Sequence, residues 1–193
     1  MKMSHFFAYI SKMKWIKRWG LMKNTAEENI MEHSWQVAVI AHGLAVIKNE
    51  LFGGNLDPEH IAVLALFHET GEVITGDFAT PVKYFNPEMK NAVHEMENLA
   101  KSRIHRMLPQ ALQSSYEPLI FPDEEGEDYR IVKAADRICA YLKCVEELKW
   151  GNREFEKAKA SIFRDIDAMD RDEVRYFMSH FADSFSLTLD ELN

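Results

Sequence analysis

The sequence is poor in the residues that mark several common protein classes. Its 193 residues include two cysteines, eight glycines and six prolines. These numbers exclude a low-complexity linker rich in glycine and proline, and the chain is long enough to bury a core without disulfide support. The two cysteines, Cys139 and Cys144, stand five positions apart in a helical stretch and share no helix face. We therefore expect free buried thiols, which suit a reducing cytoplasm.

Long hydrophobic runs are also missing. The longest apolar run near the N-terminus is FFAYI at 6–10, shorter than the core of a signal peptide. No stretch approaches the roughly 20 apolar residues expected of a membrane span. The N-terminal segment is basic, so a membrane-surface helix over 5–19 is an alternative to a first helix packed on its own domain. Its basic residues are Lys2, Lys12, Lys14, Lys17 and Arg18.

Positive charge is in short supply, because the formal net charge is -8. An acidic surface repels the phosphate backbone of long nucleic acids, which excludes a general DNA- or RNA-coating role. A metal ion and one well-placed arginine can still create a local site for a small phosphorylated substrate. The hydrophobic fraction of 47% predicts a folded core, and the length favours one domain over residues 1–193.

Strand signals are nearly absent, whereas apolar residues recur at helical spacing. The fold class that this predicts is all-α, a single-domain bundle of five to seven main helices. Residues 71–87, interrupted by glycines and prolines, are predicted to form a long loop. The predicted helices cover 32–50, a segment beginning near Asp57-Pro58, then 88–107, 128–149, 153–169 and 170–181.

Polar residues interrupt three of the apolar stripes. His33, His68 and Asp136 each lie among inward-facing apolar residues, and Glu69 lies at the edge of the stripe that contains His68. A buried carboxylate is usually paired, protonated or bound to a metal. Two imidazoles and two carboxylates would suit Mn, Co, Fe, Ni or Zn better than Mg or Ca.

Each of these residues also has a plainer interpretation. A histidine on an apolar helix face is commonly a hydrogen-bonded core residue, and Asp136 could pair with Lys133 or Arg137. Ligands spread over three helices leave no local signature such as HExxH. Spacing alone therefore does not decide between a metal site and ordinary core residues.

The order His33, His68-Glu69, Asp136 resembles the H…HD…D pattern of the HD superfamily of metal-dependent phosphohydrolases. The surrounding sequence is similar to the bacterial HD-domain 5'-deoxynucleotidases of the YfbR type, from about Ser4 to Leu189. The resemblance implies the all-helical HD fold. The segments that carry it are SHFFAYISKMKWIKRW (4–19), ENIMEHSWQVAVIAH (28–42), KNELFGGN (48–55), ALFHETGEVITGDFATPVKYFN (65–86) and VKAADRICAYLKCVEEL (132–148).

Two positions depart from the family pattern. Glu69 stands where the family motif has Asp, which keeps the charge but adds one methylene group. Ala79 stands where the family usually has Pro. The first departure bears on metal binding, and the second on the stiffness of the loop.

The resemblance implies that four side chains hold one divalent metal ion: His33, His68, Glu69 and Asp136. Co or Mn is expected, with Zn, Ni or Fe as further possibilities. The resemblance also assigns His33, Glu69 and Asp136 to substrate binding.

Five further residues take roles from the resemblance. Glu72 is implied as the catalytic acid or base, and Arg18 as the catalytic group that grips the phosphate. Trp19 is implied to crowd the sugar and disfavour a 2'-hydroxyl. Asp77 is implied to accept a hydrogen bond from the 3'-hydroxyl, with Thr80 completing the substrate loop.

The implied reaction is the hydrolysis of 2'-deoxynucleoside 5'-monophosphates to deoxynucleoside and phosphate by a cytoplasmic homodimer. Two alternatives stay open. One is an HD phosphohydrolase acting on cyclic nucleotides, nucleoside triphosphates or alarmones. The other is a non-catalytic HD binding module, which Glu69 motivates.

Overall fold

A computed structural model describes residues 3–193, so Lys2 of the basic N-terminal segment lies outside the described residues. Among the described residues there is no β-strand, and the one β-bridge joins Lys17 and Asn29 in antiparallel orientation. The α-helices are α1 (Phe6–Ile10), α2 (Ile30–Phe52), α3 (Pro58–Phe67), α4 (Glu72–Thr75), α5 (Thr80–Lys83), α6 (Pro87–His105), α7 (Gln110–Ile120), α8 (Glu127–Lys149), α9 (Glu156–Asp167) and α10 (Asp172–His180).

The all-α prediction is confirmed, although the described part of the chain has more helices than the five to seven expected. Seven of its ten α-helices have nine residues or more. The other three, α1, α4 and α5, have only four or five residues. Such short helices carry too few apolar repeats to be recognised from periodicity.

Helix α2 begins and ends at clear local signals. The side chain of Asn29 accepts hydrogen bonds from the backbone N–H groups of Met31 and Glu32, which caps the first turn. Gly53 follows the last residue with a φ of 66°, a left-handed conformation that glycine adopts at little cost. The helix therefore starts two residues before the predicted Glu32 and ends two after the predicted Glu50.

The main core lies where α2 and α8 pack against α3, α9 and α10. Its members are small and branched side chains that recur at helical spacing, such as Val37, Leu44 and Ile138. Cys139 and Cys144 are both free and buried in this core, as expected. His33 and Asp136 are thus placed on the two helices that contribute most to the core.

A second, smaller core holds the N-terminal segment. Phe6 on α1 is fully buried and packs with Ile104, Leu108 and Ile120. The buried Phe6 supports the expectation that the first helix packs on its own domain rather than on a membrane surface. Phe6 and Tyr116 also pack in a T-shaped arrangement, with ring centroids 5.1 Å apart.

The prediction that no segment is long and apolar enough to span a membrane is wrong for one helix. Helix α2 is long and apolar enough by length and composition, with a mean hydropathy of 1.2 over its most apolar window. Half of that window is buried within the protein, and core helices pass the same test. The composition of α2 therefore agrees with its place in the core.

The segment 71–87 is not the continuous loop that was predicted, because it contains the one-turn helices α4 and α5. Between them lie Gly76, with a φ of 75°, and Asp77. Helix α4 packs against α6, as does α5. The short helices therefore hold this segment against the rest of the domain, directly after His68 and Glu69 in the chain.

Candidate metal and phosphate site

Four side chains from three parts of the fold meet at one point. His33 lies in the first turn of α2, His68 and Glu69 follow the end of α3, and Asp136 lies in the middle of α8. One ligand atom from each of the four lies within 4.8 Å of the others. The structure thus brings together the four residues that the sequence singled out, although α3 ends at Phe67 and Glu69 lies just past it rather than on it.

His33 is completely buried, and both of its ring nitrogens have partners. Nδ1 lies 2.7 Å from Nη1 of Arg18, and Nε2 lies 3.0 Å from Oδ1 of Asp136. A guanidinium only donates hydrogen bonds, so Nδ1 accepts and the ring proton is on Nε2. Burial and the charge of Arg18 lower the pKa of His33, which keeps the ring neutral.

His68 presents a free nitrogen to the same point. Its Nδ1 lies 2.6 Å from the carbonyl oxygen of Ala65 and donates a hydrogen bond to it, which leaves Nε2 with a lone pair. That Nε2 atom is buried and has no hydrogen-bond partner among the described residues. Oε1 of Glu69 is 3.2 Å away but poorly aligned. An unsatisfied buried nitrogen is costly, and a cation at this point would satisfy it.

Asp136 is held in its charged form. Oδ1 faces His33, and Oδ2 accepts a hydrogen bond of 2.8 Å from Nζ of Lys133. Burial raises the pKa of Asp136, but Lys133 and the bond from His33 outweigh burial and leave it well below its usual range. Two imidazoles and two carboxylates fit a divalent transition-metal ion, with the buried Nε2 of His68 as the clearest sign.

Glu72 and Asp77 extend the site on one side. Glu72 is in the first turn of α4 and is 7% exposed. Burial and the charges of Glu69 and Asp77 raise the pKa of Glu72 well above its usual range. Burial also raises the pKa of Asp77, against the opposing charge of Arg18. A raised pKa makes a carboxyl group better suited to accept and hold a proton.

Arg18 and Trp19 approach the site through the β-bridge. The backbone N–H of Arg18 donates to the carbonyl oxygen of Glu28 at 2.9 Å. Nη1 of Arg18 and Nε1 of Trp19 both donate to Oε2 of Glu28, at 2.8 and 3.0 Å. Burial lowers the pKa of Arg18, but the carboxylates around it, Glu28 and Asp136 first among them, outweigh burial and raise it.

Trp19 has an unusual backbone conformation for a bulky residue, with a φ of 60°. Its ring packs against Phe155, with centroids 5.3 Å apart. Because left-handed conformations of bulky residues are strained, the structure around Trp19 must hold it in place. Thr80, by contrast, begins α5 with an exposed side chain.

A cavity of about 470 Å³ opens beside His68, Glu69 and Glu72. Four lysines and four glutamates line it. Tyr84 and Tyr129 add aromatic surface. The lysines are Lys83, Lys90, Lys101 and Lys133, and the glutamates are Glu69, Glu72, Glu97 and Glu124.

Sequence reasoning missed one residue of the site and undervalued another. Glu28, which holds Arg18 and Trp19, lies before α2 and carries no periodic signal. Lys133 was considered only as an ion-pair partner of Asp136, and that pair is present at 2.8 Å. Lys133 lies three residues before Asp136, which places both on the same helix face. This spacing is the sequence feature that indicates a place for Lys133 in the site. Arg137 instead approaches Asp165, at 4.0 Å.

Comparisons with known proteins agree with this arrangement. The sequence matches the 5'-deoxynucleotidase YfbR-like family over residues 5–185. A 5'-deoxynucleotidase of Vibrio cholerae is 50% identical over the whole of both chains. The fold is similar to that of an HD-domain phosphohydrolase of Listeria innocua, with a TM-score of 0.82, 24% identity, and coverage of 94% of this chain and 88% of the other.

A second fold relative is the HD phosphohydrolase of cyanophage S-2L, whose structure contains dA and one catalytic Zn²⁺ ion. The TM-score is 0.65 at 18% identity, over 92% of this chain and 96% of the other. At this identity the likeness concerns the fold alone. The match over residues 5–185 and the identity to curated relatives are decisive: the chain belongs to the 5'-deoxynucleotidase YfbR-like family.

Proposed function

We propose that this protein is a metal-dependent 5'-deoxynucleotidase that converts 2'-deoxynucleoside 5'-monophosphates and water into deoxynucleosides and phosphate. The observation that carries the proposal is the meeting of His33, His68, Glu69 and Asp136 within 4.8 Å, beside Arg18. Membership of the family and the printed activity of relatives such as the Vibrio cholerae protein support the choice of substrate.

The four clustered side chains would hold one divalent ion, His33 and His68 through nitrogen and Glu69 and Asp136 through oxygen. Such an ion, when bound, neutralises charge on phosphate oxygens and lowers the pKa of water. Co and Mn are our first candidates. Zn belongs in the same test, since the cyanophage relative of this fold contains it.

Arg18 would bind the phosphate group. Its guanidinium is permanently charged and presents a planar fork that matches two phosphate oxygens. The side chain is 14% exposed and is held by Glu28, so its charge is directed and poorly screened by water. His33, Glu69 and Asp136 would contact the same phosphate only through the shared ion.

Glu72 would move the proton that the reaction requires. Burial and the neighbouring carboxylates raise the pKa of Glu72, which favours a role as a proton carrier, either taking a proton from the attacking water or giving one to the departing 5'-oxygen. Its place three residues after Glu69 directs it to the same cavity. Its low exposure keeps bulk water from competing for that proton.

Trp19, Asp77 and Thr80 would recognise the sugar. The indole of Trp19 is fixed between Glu28 and Phe155, so it can act as a rigid wall that leaves no room for a 2'-hydroxyl. Asp77 lies close enough to Arg18 for their charges to interact, and a carboxylate there can accept a hydrogen bond from the 3'-hydroxyl. Thr80 would contribute from the first turn of α5.

The charge of the cavity favours a monophosphate over a triphosphate or an alarmone. Each further phosphate adds negative charge, which needs further cations. The four lysines of the cavity are matched by four glutamates, and Nζ of Lys83 already binds Glu97 at 2.7 Å. Because Lys83 is already paired with Glu97, fewer cations of the cavity are free to bind a polyphosphate.

We also propose a cytoplasmic homodimer. The buried free thiols of Cys139 and Cys144 suit a reducing compartment. Trp35 and Val39 on α2 are 64% and 53% exposed, and apolar surface of this kind is commonly covered in a dimer. Light scattering during gel filtration measures the mass and so tests the dimer.

The test of the function is phosphate release by metal-free protein reloaded with Co²⁺, Mn²⁺ or Zn²⁺, with elemental analysis of each sample. dAMP should be hydrolysed faster than AMP, dADP, dATP and cyclic AMP. Faster release from dATP than from dAMP would select the alternative HD phosphohydrolases.

Glu69→Asp separates an enzyme from a binding module. Both the natural protein and this variant should release phosphate from dAMP, because either carboxylate supplies the same charge. If neither protein hydrolyses any phosphomonoester although both bind one metal ion, the non-catalytic module replaces our proposal.

A further inference from the structure

Glu28 contacts three residues that have different roles in the proposed function: Arg18, Trp19 and His33. One of its oxygens, Oε2, accepts hydrogen bonds from Arg18 and Trp19, the groups proposed to bind phosphate and sugar. The other oxygen, Oε1, faces Nδ1 of the proposed metal ligand His33 at 3.9 Å. The Glu28 side chain is only 12% exposed, so these contacts take place largely out of water.

The local fold holds Glu28 in this position. Its carbonyl oxygen accepts from the backbone N–H of Arg18, and the carbonyl of Ile16 accepts from the N–H of Ile30. The next residue, Asn29, caps α2, and the N–H of His33 donates to the Asn29 carbonyl oxygen at 3.1 Å. Glu28, Arg18 and His33 therefore belong to one hydrogen-bonded unit.

In the structure Arg18 occupies the hydrogen-bonding position of His33 Nδ1, so the ring proton is on Nε2. A neutral imidazole that ligates a metal through Nε2 must carry its proton on Nδ1 instead. The Nε2 proton is then released and Nδ1 gains one from water, with no net change in the charge of the ring. Nδ1–H would point directly at the N–H of Arg18, and two facing donors repel each other.

The nearest carboxylate to that new donor is Glu28. The present separation of 3.9 Å exceeds a hydrogen-bond distance, so a small movement is required. We infer that Glu28 is a positioning residue. When His33 ligates, Oε1 of Glu28 replaces Arg18 as the partner of Nδ1, which frees Arg18 from His33 for the phosphate, while Oε2 of Glu28 still holds Arg18 and Trp19. This inference rests on the proposed function for the role of Arg18, but its metal-binding part stands by itself.

The exchange would couple the two halves of the site. Before metal binding, the hydrogen bond between Arg18 and His33 keeps His33 in the tautomer that cannot ligate through Nε2. The same bond keeps Arg18 from turning to the phosphate. Once His33 ligates, Glu28 fixes the ring and Arg18 becomes available for an anion. The same carboxylate also holds Trp19, so the residue proposed to contact the sugar keeps a fixed position relative to Arg18, which is proposed to bind the phosphate.

The experiment compares Glu28→Gln with Glu27→Gln, a matched control on the adjacent residue. Glu27 is 70% exposed and pairs with Lys17 at the surface. Competition with a chelator measures the Co²⁺ affinity of each protein without any reference to activity. Glu28→Gln should bind Co²⁺ roughly 10- to 100-fold more weakly, the usual effect of removing the carboxylate partner of a ligating histidine. Glu28→Asp should recover part of the loss, and Glu27→Gln should match the natural protein.

Equal Co²⁺ affinity in Glu28→Gln and Glu27→Gln would overturn the inference. A second measurement, on the natural protein, does not depend on any variant folding. Long-range ¹H–¹⁵N spectra report which ring nitrogen of His33 carries the proton. We expect the Nε2–H form without metal and the Nδ1–H form with Zn²⁺, and an unchanged tautomer would equally overturn the exchange.

Activity measurements then separate this inference from the proposed function. If the natural protein hydrolyses dAMP, Glu28→Gln should raise KM more than it lowers kcat under saturating Co²⁺, because Arg18 and Trp19 lose their shared anchor. A change in kcat alone would contradict the role given to Glu28 in substrate binding. If the natural protein does not hydrolyse dAMP, the proposed function fails, while the affinity and tautomer measurements still decide the role of Glu28.

Discussion

Nζ of Lys133 lies 2.8 Å from Oδ2 of Asp136, on the side of the carboxylate that faces away from His33. Lys133 also lines the cavity next to Glu69 and Glu72. The charge of Asp136 raises the pKa of Lys133, against the effect of burial, so the ammonium group stays charged throughout the physiological range. Two of the four clustered side chains thus each contact a positive charge, His33 that of Arg18 and Asp136 that of Lys133.

Lys133→Met tests whether this charge contributes to phosphate binding. We expect KM for dAMP to rise about tenfold or more, because a hydrogen bond to a charged group is worth roughly 1.5–3 kcal/mol. Metal content should stay near one ion per chain, since none of the four proposed ligands changes. Initial rates over a range of dAMP concentrations, with elemental analysis, provide the measurement.

The control for that variant is Lys157→Met, which removes an exposed lysine on α9. It should leave KM unchanged. If Lys133→Met instead lost its metal with no further effect on KM at saturating metal, Lys133 would serve only to orient Asp136.

Glu72→Ala should keep the fold and the metal but lose on the order of 10²-fold or more in kcat, because the positioned proton donor or acceptor is gone. Glu95→Ala, at an exposed position on α6, is the matched control and should keep full activity. Steady-state kinetics at saturating dAMP and Co²⁺ measure both. Full turnover in Glu72→Ala would remove Glu72 from the mechanism.

Trp19→Ala should narrow the preference for dAMP over AMP. The partly buried ring is held against Phe155, so its removal opens space where a 2'-hydroxyl would lie. The ratio of kcat/KM for the two substrates is the measurement, and Trp15→Ala, at a position that is 71% exposed, is the control. An unchanged ratio would mean that the sugar is selected elsewhere.

The long helices could be predicted from sequence because their apolar residues repeat and their ends are marked. The predicted 128–149 and the observed Glu127–Lys149 differ by one residue. Helix α7 was missed because Pro118 lies inside it, and proline ordinarily ends a helix. Here Pro118 lies close to the C-terminal end, where few backbone hydrogen bonds depend on it.

The site could be predicted only in part, for a physical reason. His33, His68 and Asp136 interrupt apolar stripes, so each reveals by itself that it points inward. The pairing of Glu28 with Arg18 and Trp19 depends on a β-bridge between two irregular segments. Irregular segments have no periodic pattern of apolar residues from which such a bridge could be predicted. Likewise, local spacing contains no information about which oxygen of Asp136 faces Lys133 and which faces His33.

Glu147, in the last turn of α8, makes a pH-dependent contribution to stability. This carboxylate is 1% exposed and accepts hydrogen bonds from Lys143, Asn152 and the backbone N–H groups of Thr25 and Ala26. Burial acts to raise the pKa of Glu147, but the bonds from Lys143 and Asn152 outweigh it and lower the pKa to about 2. Glu147 therefore ties the segment before α2 to α8.

Because the folded pKa is lower than the ordinary glutamate value, folding favours the charged form. The stabilisation is complete above the unfolded pKa, near 4.5, and is lost as the pH falls towards about 2. At 1.36 kcal/mol per pKa unit, it amounts to at most about 3 kcal/mol at neutral pH. Glu147→Gln should therefore lower the free energy of unfolding at pH 7, and the difference from the natural protein should shrink steadily below pH 4.5.

Urea unfolding at several pH values between 7 and 3 measures this difference, and Glu50→Gln, at an exposed position near the end of α2, is the control. The control should follow the natural protein at every pH. Part of the effect of Glu147→Gln comes from leaving the buried Lys143 without its partner, and this part persists as long as Lys143 is charged. The pH-dependent part alone reports the shifted carboxylate, so a difference that stays constant from pH 7 to pH 3 would show that Glu147 has an ordinary pKa in the folded protein.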